Sequence, residues 1–253
     1  MSKTLKILHS SDLHGVWRAP IGFNDFDVWV DSGDTMPNIS RGTAIEAPFQ
    51  RGWMTLDKLT LRKRFKTAAG VSPTSGASMY ISEREQPPFD SSVAEEWTRW
   101  LAGRPFLWVP GNHDFCDLTL PMRKAGARAY NLLDAPVQIG GLRFAGVREI
   151  PFLEGEWAGE AREPELRTAV ERVMGQNPDV LVTHAPPSGI LDRAFGGSGH
   201  VGIVPLTHWL QWQPHQVRLV LTGHVHESAG TREEMGILFS NAACMVRMLE
   251  VLV

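Results

Sequence analysis

The sequence predicts an α/β fold with a mixed sheet, or two sheets packed together, at its centre. Short apolar runs rich in β-branched and aromatic residues, each ending at a Gly, Pro or Asp cluster, indicate buried strands. Amphipathic patterns with helical spacing lie between several of them, and this alternation is typical of α/β domains. The last third of the chain is strand-rich with little room for helices, so a purely parallel sheet fits poorly.

The individual elements follow from these patterns in chain order. Five apolar runs predict buried strands, at residues 5–8, 26–30, 106–109, 180–182 and 217–221. Helical patterns predict four helices, at residues 49–69, 92–102, 164–174 and 204–212. Further strands are expected in the second half, at residues 137–139, 142–146, 237–240 and 245–253. Residues 71–90, which contain three prolines and many small polar residues, predict a loop.

Composition excludes several classes of protein. The chain has 253 residues, 43% of them hydrophobic and 21% charged, as expected of a globular protein rather than a disordered or coiled-coil one. With a net charge of -3, the chain has no excess of basic residues of the kind expected in a domain that binds a nucleic-acid backbone. The two cysteines, Cys116 and Cys244, are too few for a disulfide framework. Without an apolar run of membrane length or a signal-peptide core, we expect no membrane association and a cytoplasmic location.

Potential metal ligands follow each of the five predicted buried strands. The loops carry the sequences SDLHG from Ser11, GD from Gly33, GNHD from Gly111, THAPP from Thr183 and GHVH from Gly223. Loops beyond the carboxyl ends of strands line the ligand crevice in α/β proteins, so these five could meet at one point. Seven side chains are candidate ligands: Asp12, His14, Asp34, Asn112, His184, His224 and His226. That number is too large for one tetrahedral ion and suits two divalent ions that share a carboxylate.

The chemistry of these side chains limits the choice of metal ion. Imidazole and carboxylate ligands without a thiolate favour Mn, Fe, Zn or Ni over a structural cysteine-rich zinc site. Residues two apart in an extended segment project to the same side, so an Asp-X-His or His-X-His pair can aim two ligands at one cluster.

In this order, the five motifs resemble those of the calcineurin-like metallophosphoesterase superfamily. The resemblance extends from Asp12 to His226 and implies a β-sandwich of two mixed sheets flanked by α-helices, with a dinuclear metal centre at the strand ends. It further implies that Asp12, His14 and His226 hold one ion and that Asp34 bridges to the second. Asn112, His184 and His224 would complete the second site. His113 would act as general acid, oriented by Asp114.

The resemblance implies hydrolysis of phosphate esters. A water held by two ions becomes acidic enough to attack phosphorus in line, and an unligated histidine can protonate the leaving group. Two divalent ions and two carboxylates would leave a formal charge of about +2 in the cavity, which attracts phosphate although the whole chain is acidic.

The segments around THAPP and GHVH are similar to the class III cyclic-nucleotide phosphodiesterase-like branch, which includes the metallophosphoesterase-domain proteins. We therefore predict a phosphodiesterase acting on a nucleotide or another small diester. Two alternatives remain open: a phosphomonoesterase or nucleic-acid end-processing enzyme on the same centre, and a protein-binding scaffold. Scaffolds tend to lose ligands, whereas every ligand position is filled here, so we rank the scaffold low.

Other predictions concern the domain and its substrate contacts. Because the candidate ligands come from both ends of the chain, residues 1–253 should form one domain, with an insertion at about 38–98. Asn112, His113 and His200 are the candidate substrate contacts; His200 lies in a glycine-rich run that is a plausible binding loop. The basic segment 51–66 could contact RNA or DNA. The sequence does not indicate an oligomeric state.

Overall fold

The computed structural model describes residues 4–15, 20, 22–36, 89–153, 157–194 and 199–253. The predicted helix at 49–69, the basic segment 51–66 and the predicted loop at 71–90 lie outside this part of the chain, apart from residues 89 and 90. The same holds for the predicted insertion up to residue 88. Its remaining residues enter the first described helix.

Thirteen strands and four α-helices are described. The strands are β1 (Thr4–Ser11), β2 (Val28–Asp31), β3 (Phe106–Trp108), β4 (Ala129–Asn131), β5 (Val137–Ile139), β6 (Leu142–Val147), β7 (Ile150–Pro151), β8 (Glu160–Ala161), β9 (Val180–Thr183), β10 (Leu219–Thr222), β11 (Gly230–Glu234), β12 (Ile237–Asn241) and β13 (Met245–Leu252). The helices are α1 (Ser91–Leu101), α2 (Thr119–Lys124), α3 (Glu163–Met174) and α4 (Val204–Trp212), and a short 3-10 helix covers His226–Ser228.

The strands form two large mixed sheets. The first sheet has the order β13-β1-β2-β3-β4, in which only β13 runs antiparallel to its neighbour. The second has the order β11-β12-β10-β9-β6-β5, with antiparallel pairs at its two edges and parallel strands between. Strands β7 and β8 form a separate pair. The chain passes from the second sheet to the first between β12 and β13, so its carboxyl-terminal strand lies beside β1.

Three buried clusters show that the sheets pack face to face with helices outside. Alternate residues of the central strands, such as Ile7 and Val30 in the first sheet and Val182 and Leu221 in the second, meet in one cluster between the sheets. Their neighbours point outward, as the pleat requires. Trp29 of the first sheet packs with α1 and α2 residues in another cluster, and the outer face of the second sheet packs with α3 and α4.

Two of the helices begin at recognisable sequence signals. The Asp90 side chain accepts a hydrogen bond from the Ser92 N–H at 2.7 Å and caps α1, which ends as Ala102 turns to a left-handed conformation. Helix α3 has Pro164 in its first turn, with Glu163 and Glu165 near the positive end of the dipole. No helix in the described part is both long and apolar enough to span a bilayer.

The predicted fold class, a sandwich of two mixed sheets flanked by helices, is confirmed. All nine predicted strands are present within three residues of their expected ends, as are the three predicted helices that lie in the described part. Six of the described elements were not predicted: strands β4, β7, β8 and β11, helix α2 and the 3-10 helix at the GHVH loop.

Candidate metal centre

The carboxyl ends of β1 and β10 bring together the first group of candidate ligands. Asp12 and His14 follow β1, and His226 begins the 3-10 helix after β10. The His226 Nε2 lies 3.0 Å from Asp12 Oδ1 and 3.3 Å from His14 Nε2. The His14 Nε2 lies 3.7 Å from the same Asp12 oxygen. Three donor atoms thus face one point, although His226 lies more than 200 residues from Asp12 and His14 in the chain.

The loops after β2, β3, β9 and β10 bring together the remaining four. The Asn112 Oδ1 lies 3.0 Å from His184 Nε2 and 2.9 Å from His224 Nδ1. The His184 Nε2 also lies 3.3 Å from Asp34 Oδ2. These side chains form a second group that adjoins the first, since one ligand atom each of Asp12, Asp34 and His184 lie within 4.8 Å of one another.

The seven side chains suit a pair of divalent ions. Asp12 and Asp34 are 3% and 2% exposed, so their carboxylates are desolvated and need a positive partner. The two Nε2 atoms of His14 and His226 face each other across 3.3 Å, an arrangement that a shared cation between lone pairs satisfies. The donors are oxygen and imidazole nitrogen, which suit Mn, Fe, Zn or Ni.

Burial and the neighbouring histidines have opposite effects on the ionisation of the two carboxyl groups at the centre. Burial would raise the pKa of Asp12, but the hydrogen bond from His226 and the positive charge on His184 and His226 hold that pKa below its ordinary value. Asp34 behaves in the same way: burial opposes its ionisation, yet the facing His184 and His113 keep its pKa well below the usual range. Both carboxylates are therefore ionised at neutral pH.

The imidazoles divide into two kinds. Burial lowers the pKa of His14 to about 4 and that of His224 to about 3. For His184 and His226 burial acts in the same direction but is outweighed, because the facing carboxylates Asp34 and Asp12 raise these pKa values to about 9 and about 11. Two ligands are thus ready to bind a cation as neutral rings, and two would release a proton when a cation binds.

The backbone of these loops adopts unusual conformations. Of the nine non-glycine residues with positive φ in the described part, four are candidate ligands (Asp12, His14, Asp34 and His224) and a fifth, Cys244, contacts one of the seven ligands. Side chains with a Cβ rarely occupy this region, and such strain concentrates at functional sites.

Glycines in the motifs permit the loops to approach one another. A Cβ on Gly111 would lie 2.2 Å from Asp34 Oδ1, and one on Gly223 would lie 1.8 Å from Ser11 Oγ. Both distances are far shorter than a van der Waals contact. The glycines of GNHD and GHVH are therefore needed for close packing of one loop against the next.

His113 lies beside the ligand cluster and is anchored to it through Asp34. Its backbone N–H donates to Asp34 Oδ1 at 2.7 Å, and its Nε2 is 3.7 Å from Asp34 Oδ2. Its ring centroid is 5.2 Å from that of His14. The outer side of the imidazole packs against Trp157, with ring centroids 4.6 Å apart. An imidazole at the edge of the centre is well placed to exchange a proton with a bound group.

Asp114 is buried beneath the loops. Its carboxylate accepts backbone hydrogen bonds from Asp34 (2.7 Å), Gly111 (2.9 Å) and Met36 (2.9 Å). It therefore joins the GD loop to the GNHD loop and sets the distance between Asp34 and Asn112. Direct orientation of His113 by Asp114 stays a prediction.

His200 belongs to a loop that is hydrogen-bonded to the segment following the GHVH motif. Its Nδ1 is 2.6 Å from Asp192 Oδ1, and the buried Asp192 also accepts from the Gly202 N–H at 3.0 Å. The Arg193 N–H donates to Ser228 Oγ at 3.0 Å, which ties this loop to the end of the GHVH segment. The His200 side chain is 42% exposed, and its contact with substrate stays a prediction.

Three contacts at the centre were not predicted from the sequence. Trp157 packs on His113, the Ser32 carbonyl lies 2.8 Å from His184 Nδ1, and Cys244 Sγ lies 3.4 Å from His226 Nδ1. Trp157 follows no motif, so no sequence signal could have identified it. Ser32 directly precedes the GD motif, and a carbonyl there is a common partner for the outer nitrogen of a metal-binding histidine.

A family model described as calcineurin-like phosphoesterase matches residues 5–228. Metallophosphoesterase domain-containing protein 1 from Homo sapiens and its counterpart from Mus musculus are each 30% identical over 112 residues, or 44% of this chain. The match spans about a third of these relatives, 34% of each. The crystal structure of TT1561 of Thermus thermophilus aligns with a TM-score of 0.50 and 15% identity, covering 94% of this chain and 89% of that one, and shares its fold.

Proposed function

The chain belongs to the calcineurin-like phosphoesterase family, and on this premise we propose that it is a dinuclear metal-dependent phosphodiesterase that hydrolyses a nucleotide or another small phosphodiester. One observation carries the proposal: seven side chains from five separate loops place oxygen and nitrogen donor atoms in two adjoining groups. Residues that served only loop structure would have no reason to aim their donor atoms at each other.

In the proposed centre the two groups of side chains hold one ion each. Asp12, His14 and His226 would hold the first ion, and Asn112, His184 and His224 would hold the second. Asp34 would be shared by both ions, since one of its carboxylate oxygens lies within 4.8 Å of ligand atoms of both Asp12 and His184. Two bound divalent ions would supply an acidified water as nucleophile and neutralise charge on the phosphoryl oxygens.

The remaining residues orient the substrate and move the proton. The carboxylates of Asp12 and Asp34 offset only half the charge of two divalent ions, so a phosphate group is attracted into the cavity. Asn112 and His113 lie on one loop beside this cavity and are proposed to contact the phosphoryl group. His113 then gives the proton from its ring to the leaving oxygen, a contribution of roughly 10²- to 10⁴-fold in rate.

The preference for a diester rests on similarity. The THAPP and GHVH segments are similar to the cyclic-nucleotide phosphodiesterase-like branch, which includes the metallophosphoesterase-domain proteins. A phosphomonoesterase on the same centre is the alternative that the experiment must separate.

A metal-supplemented substrate panel tests the proposal. The metal-free protein is loaded with Mn²⁺, Fe²⁺, Ni²⁺ or Zn²⁺ and assayed on bis-nitrophenyl phosphate, nitrophenyl phosphate, cyclic nucleotides and short RNA and DNA. We expect chelator-sensitive hydrolysis, fastest with a small diester, either bis-nitrophenyl phosphate or a cyclic nucleotide. Asp12→Asn, assayed in parallel, should lose this activity and thereby exclude a contaminating phosphatase.

The other outcomes are decisive as well. Faster hydrolysis of the monoester would replace the phosphodiesterase proposal by the phosphomonoesterase, and preference for RNA or DNA would indicate an end-processing enzyme. If none of the esters is hydrolysed with any of the four metals, the proposed enzyme activity is wrong.

A further inference from the structure

We propose that Cys244 is a positioning residue for the metal centre, which holds the imidazole of His226 in the orientation that its ion requires. The inference rests on the proposed function only in assuming that His226 binds an ion. It concerns a side chain outside the five motifs.

The contact places a thiol behind one metal ligand. The Cys244 Sγ lies 3.4 Å from the Nδ1 of His226, within hydrogen-bonding distance for sulfur. The opposite ring nitrogen, Nε2, faces Asp12 Oδ1 at 3.0 Å and His14 Nε2 at 3.3 Å. The Nδ1 of His226 thus contacts the thiol, while its Nε2 points into the first ligand group.

The backbone of the connection between β12 and β13 places Cys244 next to His226. Residues 242–244 connect β12 in the second sheet to β13 in the first. The Cys244 N–H donates to the Ser11 carbonyl at 3.1 Å, directly before Asp12. Its φ of 56° lies in the left-handed region, which a residue with a Cβ rarely adopts. The surroundings therefore hold Cys244 in a conformation that it would not adopt alone.

Asn241 fixes the same turn to the GHVH loop. Its Nδ2 donates to the Val225 carbonyl at 2.9 Å, next to His226, and its Oδ1 accepts from the Ala243 N–H at 2.9 Å. One side chain therefore links the segment that carries the thiol to the segment that carries the imidazole. This link holds together the two backbone segments from which the thiol and the imidazole project.

The chemistry of the pair explains what the thiol does. An imidazole that binds an ion through Nε2 carries its proton on Nδ1, and that N–H needs an acceptor. Sulfur is a weak acceptor compared with a carbonyl or carboxylate oxygen. His184, a proposed ligand of the second ion, is held instead by the Ser32 carbonyl at 2.8 Å. Removal of the thiol should therefore weaken the first site and leave the second unchanged.

Calorimetric titration of metal-free protein with Mn²⁺ tests this role without an activity assay. For Cys244→Ala we expect one of the two ions to bind about 10- to 100-fold more weakly and the other to bind as in the wild type. Cys244→Ser, which retains an acceptor, should recover most of the loss. In a His226→Ala background, Cys244→Ala should have no further effect on the ion that still binds, because the positioned ring is absent.

Cys116→Ala is the matched control. Cys116 packs at the edge of the cluster between the first sheet and its helices and is half-buried like Cys244. The Cys116→Ala protein should bind both ions with wild-type affinity. Thermal melts should show that all variants are folded. Wild-type affinity for both ions in a folded Cys244→Ala protein would overturn the inference, as would an equal loss in Cys116→Ala. A wild-type protein that binds two ions but hydrolyses no ester would contradict the proposed function and leave this inference intact.

Discussion

Asp34 contacts His113 through both of its carboxylate oxygens. Oδ1 accepts the His113 backbone N–H at 2.7 Å, and Oδ2 lies 3.7 Å from the ring Nε2. The proposed bridging ligand thus also fixes the proposed general acid. Substitution of either residue should impair hydrolysis, but only a change at Asp34 should also impair metal binding.

His113→Ala should slow esters with poor leaving groups far more than nitrophenyl esters. A nitrophenolate ion leaves without a proton, whereas an alkoxide needs one, and loss of the acid should cost roughly 10²- to 10⁴-fold with alkyl esters. The measurement is kcat/KM for a series of diesters that differ in leaving-group pKa. His208→Ala is the control, because His208 is exposed on α4. Equal losses on all esters would contradict the general-acid role.

Asp34→Asn should remove at least one ion from the centre. The substitution deletes a negative charge that His184 and His113 face in a buried site, while an amide can keep the hydrogen bond from the His113 N–H. We expect metal content to fall from about two ions to one or fewer, with a loss of activity of at least about 100-fold. Metal analysis after gel filtration gives the stoichiometry.

Asp25→Asn is the control for that substitution, because the Asp25 side chain is exposed and pairs with Lys6. It should retain both ions and full activity. Retention of two tightly bound ions by Asp34→Asn would show that Asp34 is not a bridging ligand.

The sequence predicted what apolar pattern and motif order determine. The runs at Phe106–Trp108 and Val180–Thr183 are buried on both faces and therefore apolar almost throughout, so they were recognised as strands. Strand β11, Gly230–Glu234, pairs at a sheet edge with its middle residues exposed, and its sequence GTREE carries no strand signal. Strand β4 has only three residues. Pairing with a neighbour, not local preference, makes both into strands.

The same distinction applies to the candidate centre. The seven candidate ligands could be named because each follows a strand within a recognisable motif. They converge because these strands run parallel within each of the two packed sheets, so that the loops at their carboxyl ends meet. Trp157 and Cys244 meet His113 and His226 only through tertiary packing. Neither residue has a fixed spacing from a motif, so one sequence could not reveal them. The role of Asp114 as a link between two loops likewise requires the backbone geometry of both.

Gly111→Ala should disrupt the centre through packing alone. The added Cβ would lie 2.2 Å from Asp34 Oδ1 and 2.5 Å from the Asp34 backbone N, so the GD and GNHD loops must separate. We expect a loss of roughly 1 to 3 kcal/mol in the free energy of unfolding and weaker metal binding. Gly22→Ala is the matched control, because a Cβ there meets nothing within 4 Å. Urea unfolding and metal titration of both variants provide the measurement, and wild-type metal affinity in Gly111→Ala would contradict the expectation.

His9 should make the stability of the protein depend on pH between about 5 and 7. Its ring bridges the two sheets, with Nδ1 2.9 Å from Ser240 Oγ and Nε2 3.0 Å from Ser32 Oγ. Burial and the nearby Arg247 lower the pKa of His9 from 6.5 to about 3, although Asp12 acts in the opposite direction. The folded protein therefore keeps this ring neutral under conditions in which the unfolded chain takes up a proton.

The direction of the effect follows from proton uptake. Because the folded pKa lies below the unfolded one, the contribution of His9 is fully present above pH 6.5 and is lost as the pH falls toward 3. Between about pH 7 and pH 5 the loss should be about 2 kcal/mol. His9→Gln, which keeps polar atoms between the serines but does not titrate, should lack this part of the pH dependence. Urea unfolding of both metal-free proteins at several pH values measures the difference between their free energies of unfolding. On acidification the wild type should lose more stability than His9→Gln. A difference that is constant from about pH 7 to pH 5 would show that His9 is not held neutral by burial.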